Sequence, residues 1–409
     1  MTPSTRYVFV ADDFTGATDT LATLARAGLA VRLFLDVPGP SDTEGLDAFG
    51  IATEARALGK AEMTSLMQSI GHRLLPHRPE VVHLKICSTF DSAPQTGNFA
   101  LAMQLLGDAL EIRTRAILGG QPSLGRYCVF GHLFARAADG RVYRIDRHPV
   151  MKSHPVTPMT ESDLLQHIAS LDGTPPVLVD RVTLQRNDDL RLPAPEGSTL
   201  FDAVDGQDID RVGAYLRAST PVLCAGASSV AEAVVGAGPR RAPGRVESSG
   251  PVLAFVGSRS SVSTEQVHRA TAYRGVALAP ARLTDSSDLE DLVAAIDAAL
   301  QSGENVMIHL DDSTSPGTPR DLAQRSAALI GTIVQHSRLG ALVVAGGDTS
   351  SAIIRVLGPL SMAFNGDIDP GVSLCMADFG EGRRLPVVLK GGQVGRPDLF
   401  DYLVSDVFG

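Results

Sequence analysis

The 409-residue sequence contains only four cysteines, and their spacing excludes a zinc site or a redox pair built from them. They are Cys87, Cys128, Cys224 and Cys375. All four lie far apart in apolar or strand-like surroundings, and none forms a CxxC pair. We therefore expect buried, reduced thiols, as in a cytoplasmic protein.

Positive charge is also scarce, and long apolar runs are missing. The chain has 36 lysines and arginines against 46 aspartates and glutamates, so its formal net charge is −10 and its pI is near 5.5. Binding to a phosphate backbone needs concentrated basic side chains, so we expect no nucleic-acid partner. No apolar run approaches membrane-spanning length, and no basic segment followed by an apolar one opens the chain, so neither membrane insertion nor export is expected.

The chain is long enough for two domains, and its composition predicts where they meet. With 44% hydrophobic residues, it can bury two cores. A stretch rich in Gly, Pro and Arg at 236–245 separates two regions in which strands alternate with helices. We predict an α/β fold of two domains, each a mostly parallel sheet flanked by helices, with an interdomain active-site cleft. The predicted limits are 1–235 for the first domain, 236–250 for the linker and 251–409 for the second.

Short apolar runs, several of them rich in β-branched residues, predict the strands of these sheets. Runs of this kind are typical of strands buried on both faces of a parallel sheet. The predicted strands are Val81–Ile86, Pro176–Val179, Val222–Ala225, Val252–Val256, Val306–Leu310, Ala341–Ala345 and Pro386–Leu389, and Asn98–Leu110 is predicted to be a helix.

The most informative stretch lies near the start of the sequence. An apolar run at 7–10 has strand length and leads into Asp12 and Asp13, a helical pattern follows at 20–27, and a second strand is predicted at 31–35. In such βαβ units, ligands bind beyond the carboxyl ends of the strands, and the amides of the helix start attract anions. Both aspartates are therefore candidates for proton abstraction, metal binding or hydroxyl recognition. The alternative is that Asp13 or Thr15 only caps the helix.

Further polar residues end other strands of the first region. Lys85 ends one predicted strand and is followed by Ser88 and Thr89, while Arg56 closes the segment 51–56, which ends a further strand-like stretch. Cations that bind a carboxylate and hydroxyls that bind sugar oxygens make a mixture suited to a sugar acid. A lysine that extends to solvent and a surface arginine are the structural alternatives.

The second region has glycine-rich turns at the ends of its strands. They lie at 256–261, 345–350 and 389–395. Glycine lets the backbone approach a phosphate closely, and successive amides form an anion-binding nest. The sequence contains neither GxxxxGK[ST] nor GxGxxG, which argues against P-loop and Rossmann dinucleotide sites. A polar loop at 144–159 holds His148 and His154, for which we expect structural hydrogen bonds rather than metal binding.

Taken together, these motifs resemble the four-carbon acid sugar kinase family over nearly the whole chain. The matching segments, in family order, are 11–17, 85–92, 154–159, 346–350, 389–392 and 398–400. The resemblance implies a sugar-acid-binding domain at 1–235, a nucleotide-binding domain at 251–409, and phosphorylation of the terminal hydroxyl of a tetronate-like acid with ATP and Mg²⁺.

The resemblance also assigns roles to individual residues. It implies catalytic roles for Asp12 and Asp13, carboxylate binding by Arg56 and Lys85, and hydroxyl contacts from Ser88 and Thr89. The implied nucleotide-binding residues are Ser258, Gly346, Gly347, Asp348, Thr349 and Gly391. Asp348 is expected either beside Mg²⁺ or at a helix N-cap.

The segment 85–92 resembles the corresponding segment of the 3-oxo-tetronate kinase branch, which favours a 3-oxo-tetronate as the substrate. Threonate and erythronate kinases typically carry an aspartate where Cys87 stands. The last glycine turn, 390–395, departs from that branch, which leaves 3-oxo-isoapionate or another branched sugar acid open. A sugar-acid-binding protein without transferase activity is the alternative class, whereas an aldolase or dehydrogenase leaves the glycine turns unexplained. The sequence does not determine the oligomeric state, and a homo-oligomer is one of the alternatives.

Overall fold

The chain forms two compact units, Met1–Pro239 and Arg240–Gly409. A computed structural model describes residues 7–137, 139–153, 157–171, 173–186, 197–242, 246, 250–284, 286–314 and 317–409. Strands alternate with helices in both units, so the predicted α/β class is confirmed.

The first unit is built on a parallel sheet with the strand order β2-β3-β1-β4-β11-β5-β10-β9. A smaller antiparallel sheet has the order β6-β7-β8. The strands are β1 Tyr7–Ala11, β2 Val31–Phe34, β3 Ala48–Ala52, β4 Val81–Lys85, β5 Thr114–Leu118, β6 Arg126–Val129, β7 His132–Arg136, β8 Val142–Arg144, β9 Val177–Val179, β10 Ser198–Phe201 and β11 Val222–Gly226. The α-helices are α1 Phe14–Arg26, α2 Lys60–Leu74, α3 Phe99–Ala109, α4 Leu164–Ser170, α5 Arg181–Arg186, α6 Gly206–Ala218 and α7 Ser229–Val235.

The register of this sheet aligns the ends of its central strands. Ala11 of β1 pairs with Ala52 of β3 on one side and with Lys85 of β4 on the other. The three strands are parallel and stop at the same level, so the residues that follow them emerge at one edge. Every residue of these three strands is buried, which explains why they are apolar on both faces.

The second unit has a mixed sheet with the order β13-β14-β12-β15-β18-β17-β16, in which β17 runs antiparallel to both of its neighbours. The strands are β12 Val252–Val256, β13 Arg274–Leu278, β14 Val306–Leu310, β15 Ala341–Ala345, β16 Ser361–Asp369, β17 Val372–Asp378 and β18 Arg384–Lys390. The α-helices are α8 Ser261–Arg269, α9 Ser286–Gln301, α10 Pro319–His336, α11 Gly347–Leu357 and α12 Leu399–Tyr402.

One prediction of local structure needs correction, and another is made more exact. The strand predicted at 386–389 is β18, and it is parallel only to β15, because the hairpin β16–β17 adds antiparallel strands beside it. Helix α1 begins at Phe14, directly after the two aspartates, because the Asp13 side chain caps it by accepting a hydrogen bond from the amide of Gly16 at 2.7 Å.

Burial, which the sequence predicts for all four cysteines, is found for three of these free thiols. Cys128, Cys224 and Cys375 are buried, and Cys87 is half-buried. Over the described residues, no helix is both long and apolar enough to span a membrane.

Candidate active site

An ion-paired cluster occupies the edge where β1 and β3 end. The guanidinium of Arg56 donates to both carboxylate oxygens of Asp12, from Nη2 at 2.8 Å and from Nε at 3.1 Å. Its Nη1 donates to Oδ2 of Asp13 at 2.8 Å. The backbone fixes the same arrangement, because the amide of Arg56 donates to the carbonyl of Asp12 at 3.1 Å. Residues that the sequence placed at the ends of two separate strands, the two aspartates and Arg56, are therefore joined by direct contacts.

The two carboxylates differ in what else they bind. Asp13 uses its second oxygen to cap α1, so both of its oxygens are engaged in holding local structure. Asp13 therefore caps the helix, but its pairing with Arg56 contradicts the alternative in which it only caps. Thr15 lies inside the helix, with its hydroxyl buried and unpaired.

Loss of hydration on burial raises the pKa of Asp12 above its ordinary value, and the negative charge of Asp13 raises it further. The positive charge of Arg56 acts in the opposite direction and does not cancel the rise. A carboxylate whose pKa moves upward is a stronger base once it is ionised. Between the two acids, Asp12 therefore has the electrostatics suited to accepting a proton.

Lys85 closes the other side of this cluster. Its side chain is buried, and its Nζ donates to the carbonyl of Ile86 at 2.9 Å. A Cβ added at Gly16 would lie 2.5 Å from this Nζ and 2.6 Å from Oδ1 of Asp13. Only glycine at position 16 lets the start of α1 approach both the ammonium and the carboxylate.

The turn after β4 is held by a chain of hydrogen bonds. Thr89 donates to Oδ1 of Asp91 at 2.5 Å, and Thr157 donates to Oδ2 at 3.3 Å. The thiol of Cys87 lies 2.9 Å from the Thr89 hydroxyl, and burial raises the pKa of this thiol to about 12. Cys87 is therefore a neutral thiol at pH 7. Ser88 lies half-buried in the same turn.

In the second unit, the three glycine turns pack against one another. The amide of Ser258, in the turn after β12, donates to the carbonyl of Ala345 at 3.1 Å. A Cβ on Gly257 would overlap the Thr349 side chain, and one on Gly346 would lie 3.3 Å from the amide nitrogen of Ser258. These turns therefore approach each other as closely as glycine allows.

The third turn, after β18, is fastened to α8. Ser260 and Ser263 both donate to the carbonyl of Gly392, the latter at 3.0 Å. A Cβ on Gly392 would overlap the hydroxyl of Ser258. Gly391, half-buried, links this turn to the end of β18. The turns predicted to bind nucleotide are thus adjacent in the structure.

Helix α11 begins in the second of these turns. Gly346 is its N-cap, with φ +126° and no side chain to cap the first amides, which lack acceptors within the helix. Gly347 is the first helical residue and Thr349 is buried. Asp348 lies exposed in the first turn, so the prediction that it is the N-cap is wrong.

His148 of the polar loop forms part of no metal cluster in the described part of the chain. His148 Nδ1 accepts from the amides of Val150 at 3.2 Å and Met151 at 3.3 Å, which is a structural role. His154 lies outside the described residues. Within the described ranges, no group of three or more His, Cys, Asp or Glu residues could hold a metal ion.

Several residues that hold these sites in place are not among the predicted site residues. Asp91, Ser260, Ser263 and Lys390 all make contacts that hold a predicted turn in place. Each lies within or next to a segment identified from the sequence, but only the fold shows what it contacts.

Comparison with known proteins also divides the chain into two parts. A family model described as a sugar-binding N-terminal domain matches residues 7–234, and one described as a nucleotide-binding C-terminal domain matches residues 253–400. A 3-oxo-isoapionate kinase of Paraburkholderia graminis is 31% identical, with 96% of this chain and 92% of the relative covered. A 3-oxo-tetronate kinase of Methylobacterium radiotolerans is 29% identical, with 96% of each covered.

Solved structures give the same fold. A Salmonella typhimurium LT2 protein superposes with a TM-score of 0.79 at 23% identity, covering 98% of this chain and 99% of that protein. The class of protein that the family models and the relatives define is an ATP-dependent sugar-acid kinase. The chain belongs to the four-carbon acid sugar kinase family.

Proposed function

We propose that this enzyme transfers the γ-phosphoryl group of ATP to the terminal hydroxyl of a 3-oxo-tetronate-like acid. The observation that carries the proposal is the contact of Asp12 with Arg56 at the ends of β1 and β3, beside Lys85 of β4. A candidate base, its orienting cation and a buried ammonium lie together in the unit that matches a sugar-binding domain.

Asp12 is the proposed general base. Arg56 holds its carboxylate in a bidentate pair, so the geometry of the base is fixed before substrate binds. Asp13 holds the opposite side of the guanidinium and fixes the start of α1. In this proposal, Asp12 accepts the proton of the hydroxyl that attacks the phosphorus, and Asp13 positions the pair.

The substrate carboxylate is assigned to Arg56 and Lys85. A guanidinium has five N–H donors, and the hydrogen bonds to the two aspartates use three of them. Two donors therefore remain for a further acceptor. The ammonium of Lys85 adds positive charge beside the start of α1. Ser88 and Thr89 are the proposed contacts for substrate oxygens, with Ser88 as a donor and Thr89, whose proton is used on Asp91, as an acceptor from a substrate hydroxyl.

ATP phosphates are assigned to the glycine turns of the second unit. Ser258, Gly346, Gly347, Thr349 and Gly391 are the proposed contacts. Ser258 and Thr349 would contribute hydroxyls, and Gly347 and Gly391 backbone amides. The amides of Ser258 and Gly346 already donate to protein carbonyls, so Gly346 would contribute the close approach of its backbone. Mg²⁺ usually binds through one or two carboxylates together with substrate phosphates and water, a requirement that the exposed Asp348 beside these turns fits. The ion would neutralise charge on the transferring phosphate.

A second candidate substrate is 3-oxo-isoapionate. It is favoured by the 31% identity to a kinase of that name and by the glycine turn 390–395, which departs from the 3-oxo-tetronate branch. ADP release measured over 3-oxo-tetronates, 3-oxo-isoapionate, threonate and erythronate decides between them. Highest kcat/KM on a 3-oxo-tetronate is expected, and bound nucleotide without phosphorylated product on any acid would contradict the kinase proposal.

Replacing Arg56 with lysine is expected to raise KM for the sugar acid by about 10- to 100-fold, because one ammonium cannot keep the bidentate pair and still offer a planar pair of donors. KM for ATP should change less than about twofold. Steady-state kinetics with each substrate varied in turn measures both values. Arg115→Lys is the matched control, since Arg115 pairs with the exposed Asp108. An unchanged sugar-acid KM in Arg56→Lys would remove Arg56 from the binding site.

The pH dependence of kcat/KM should report Asp12. A base must be ionised, so activity is lost as the pH falls through its pKa, which burial raises above the ordinary aspartate value of about 3.9. Asp13→Asn removes the neighbouring charge that contributes to this rise, while asparagine can still cap α1. We expect the acid limb of Asp13→Asn to move to lower pH. An acid limb that stays in place would show that another group titrates.

A further inference from the structure

Lys390, the last residue of β18, is a lysine with a fully buried side chain. Its relative exposure is 0%, whereas lysines are almost never fully buried unless their charge is paired. Its Nζ donates to the hydroxyl of Ser263 at 3.1 Å. No carboxylate in the described part of the chain forms an ion pair with it. Burial lowers the pKa of Lys390 to about 8, so it is mainly protonated at pH 7.

The position of this ammonium is as informative as its burial. The carbonyl of Lys390 accepts from the amide of Gly346 at 2.9 Å, which joins the end of β18 to the start of α11. The Lys390 ammonium donates to Ser263, which donates in turn to the carbonyl of Gly392 at 3.0 Å. A Cβ added at Gly395 would lie 3.7 Å from Cε of Lys390. The ammonium therefore lies behind the third glycine turn, meaning on the side of the turn that faces α8.

We infer that Lys390 supplies the positive charge of the nucleotide site, acting from behind the glycine turn on the phosphates bound in front of it. The inference rests on the proposed use of ATP. The exposed cations of the second unit act on bound phosphates through water. The charge of this enclosed ammonium acts through protein, where it is screened far less than in water. Its side chain is enclosed and need not touch the nucleotide.

An unpaired buried charge also gives a reason for the enzyme to favour anionic ligands. Keeping an ammonium away from water without a counter-ion is unfavourable, and phosphate groups that bind nearby relieve that cost. Ser263 and Ser260 hold the carbonyl of Gly392 toward α8. Because the C=O and N–H of a trans peptide point in opposite directions, the amide of Gln393 points away from that helix. Lys390 thus supplies charge and, through Ser263, contributes to the orientation of the turn.

The test compares adenosine, ADP and ATP, because an effect of charge must grow with the number of phosphates. Calorimetric dissociation constants are measured for the wild-type protein and for the Lys390→Met variant. The methionine side chain is close to lysine in shape and is neutral. We expect ATP to bind roughly 10- to 100-fold more weakly to the variant. ADP should lose less, and adenosine should change less than about twofold. Arg269→Met is the matched control, since Arg269 is an exposed cation on α8, and its ATP affinity should stay within about twofold.

Each other outcome has a definite meaning. Equal ATP affinity in the wild type and in Lys390→Met would overturn the role of Lys390 and leave the kinase proposal intact. Equal loss of all three ligands would also overturn it, because the lysine would then be supporting structure only. A wild-type protein that binds neither ADP nor ATP would instead refute the use of ATP itself, and with it this inference. If Lys390→Met does not fold, Lys390→Gln is compared in the same way.

Discussion

Replacing Asp12 with asparagine is expected to lower kcat by about 10²- to 10⁴-fold, the usual cost of removing a general base. Asparagine keeps the volume of the side chain and one oxygen for Arg56, but it cannot take the proton of the attacking hydroxyl. KM for ATP should change little, because the proposed nucleotide contacts lie in the other unit. Coupled ADP release with a saturating sugar acid measures kcat, and direct detection of phosphorylated product confirms transfer.

Two further substitutions make this result specific. Asp108→Asn removes an exposed acid that also pairs with an arginine, and it should leave kcat within about twofold. Asp13→Asn should reduce kcat less than Asp12→Asn, because its capping bond to Gly16 can be kept. Near-normal turnover in both Asp12→Asn and Asp13→Asn would mean that the cluster is structural and that the catalytic centre lies elsewhere.

The sequence predicts strands well where burial is complete. The runs at 252–256, 306–310 and 341–345 coincide with β12, β14 and β15, because each strand has neighbours on both sides and an apolar residue at nearly every position. Strand direction is harder to predict, since β17 runs antiparallel to both of its neighbours and yet is as largely buried as the parallel strands. Hydrophobic periodicity reports burial and does not report which strand lies beside which.

The candidate site was only partly predictable, for a related reason. Residues that follow strands can be placed at the edge of a parallel sheet, which brought Asp12 and Lys85 forward as candidates. That Arg56 pairs with both aspartates depends on the register of β3 against β1, which the sequence does not give. The sequence predicts Lys390 to be the polar end of a strand. Only the burial of its side chain in the fold distinguishes it from an exposed lysine.

Replacing Gly346 with valine is expected to weaken ATP binding by on the order of 10²-fold, comparable with losing a hydrogen-bond donor that stabilises a phosphate-like anion. Gly346 has φ +126°, a conformation that β-branched residues avoid, and its added Cβ would lie 3.3 Å from the amide nitrogen of Ser258. The turn must therefore shift, which displaces the amides at the start of α11 from the proposed phosphate position.

The matched control for this prediction lies at the other end of the same helix. Gly358, the C-cap of α11, has φ +61° and no atom within 4 Å of its added Cβ. Gly358→Val therefore imposes backbone strain of about 1–3 kcal/mol without crowding the turn. Calorimetry should show near-normal ATP affinity in Gly358→Val and a large loss in Gly346→Val. The midpoint temperature of thermal denaturation should fall in both variants. Because strain alone lowers stability in either variant, only a loss of ATP affinity confined to Gly346→Val supports phosphate binding at this turn. Unchanged ATP affinity in a folded Gly346→Val would remove the turn from the nucleotide site.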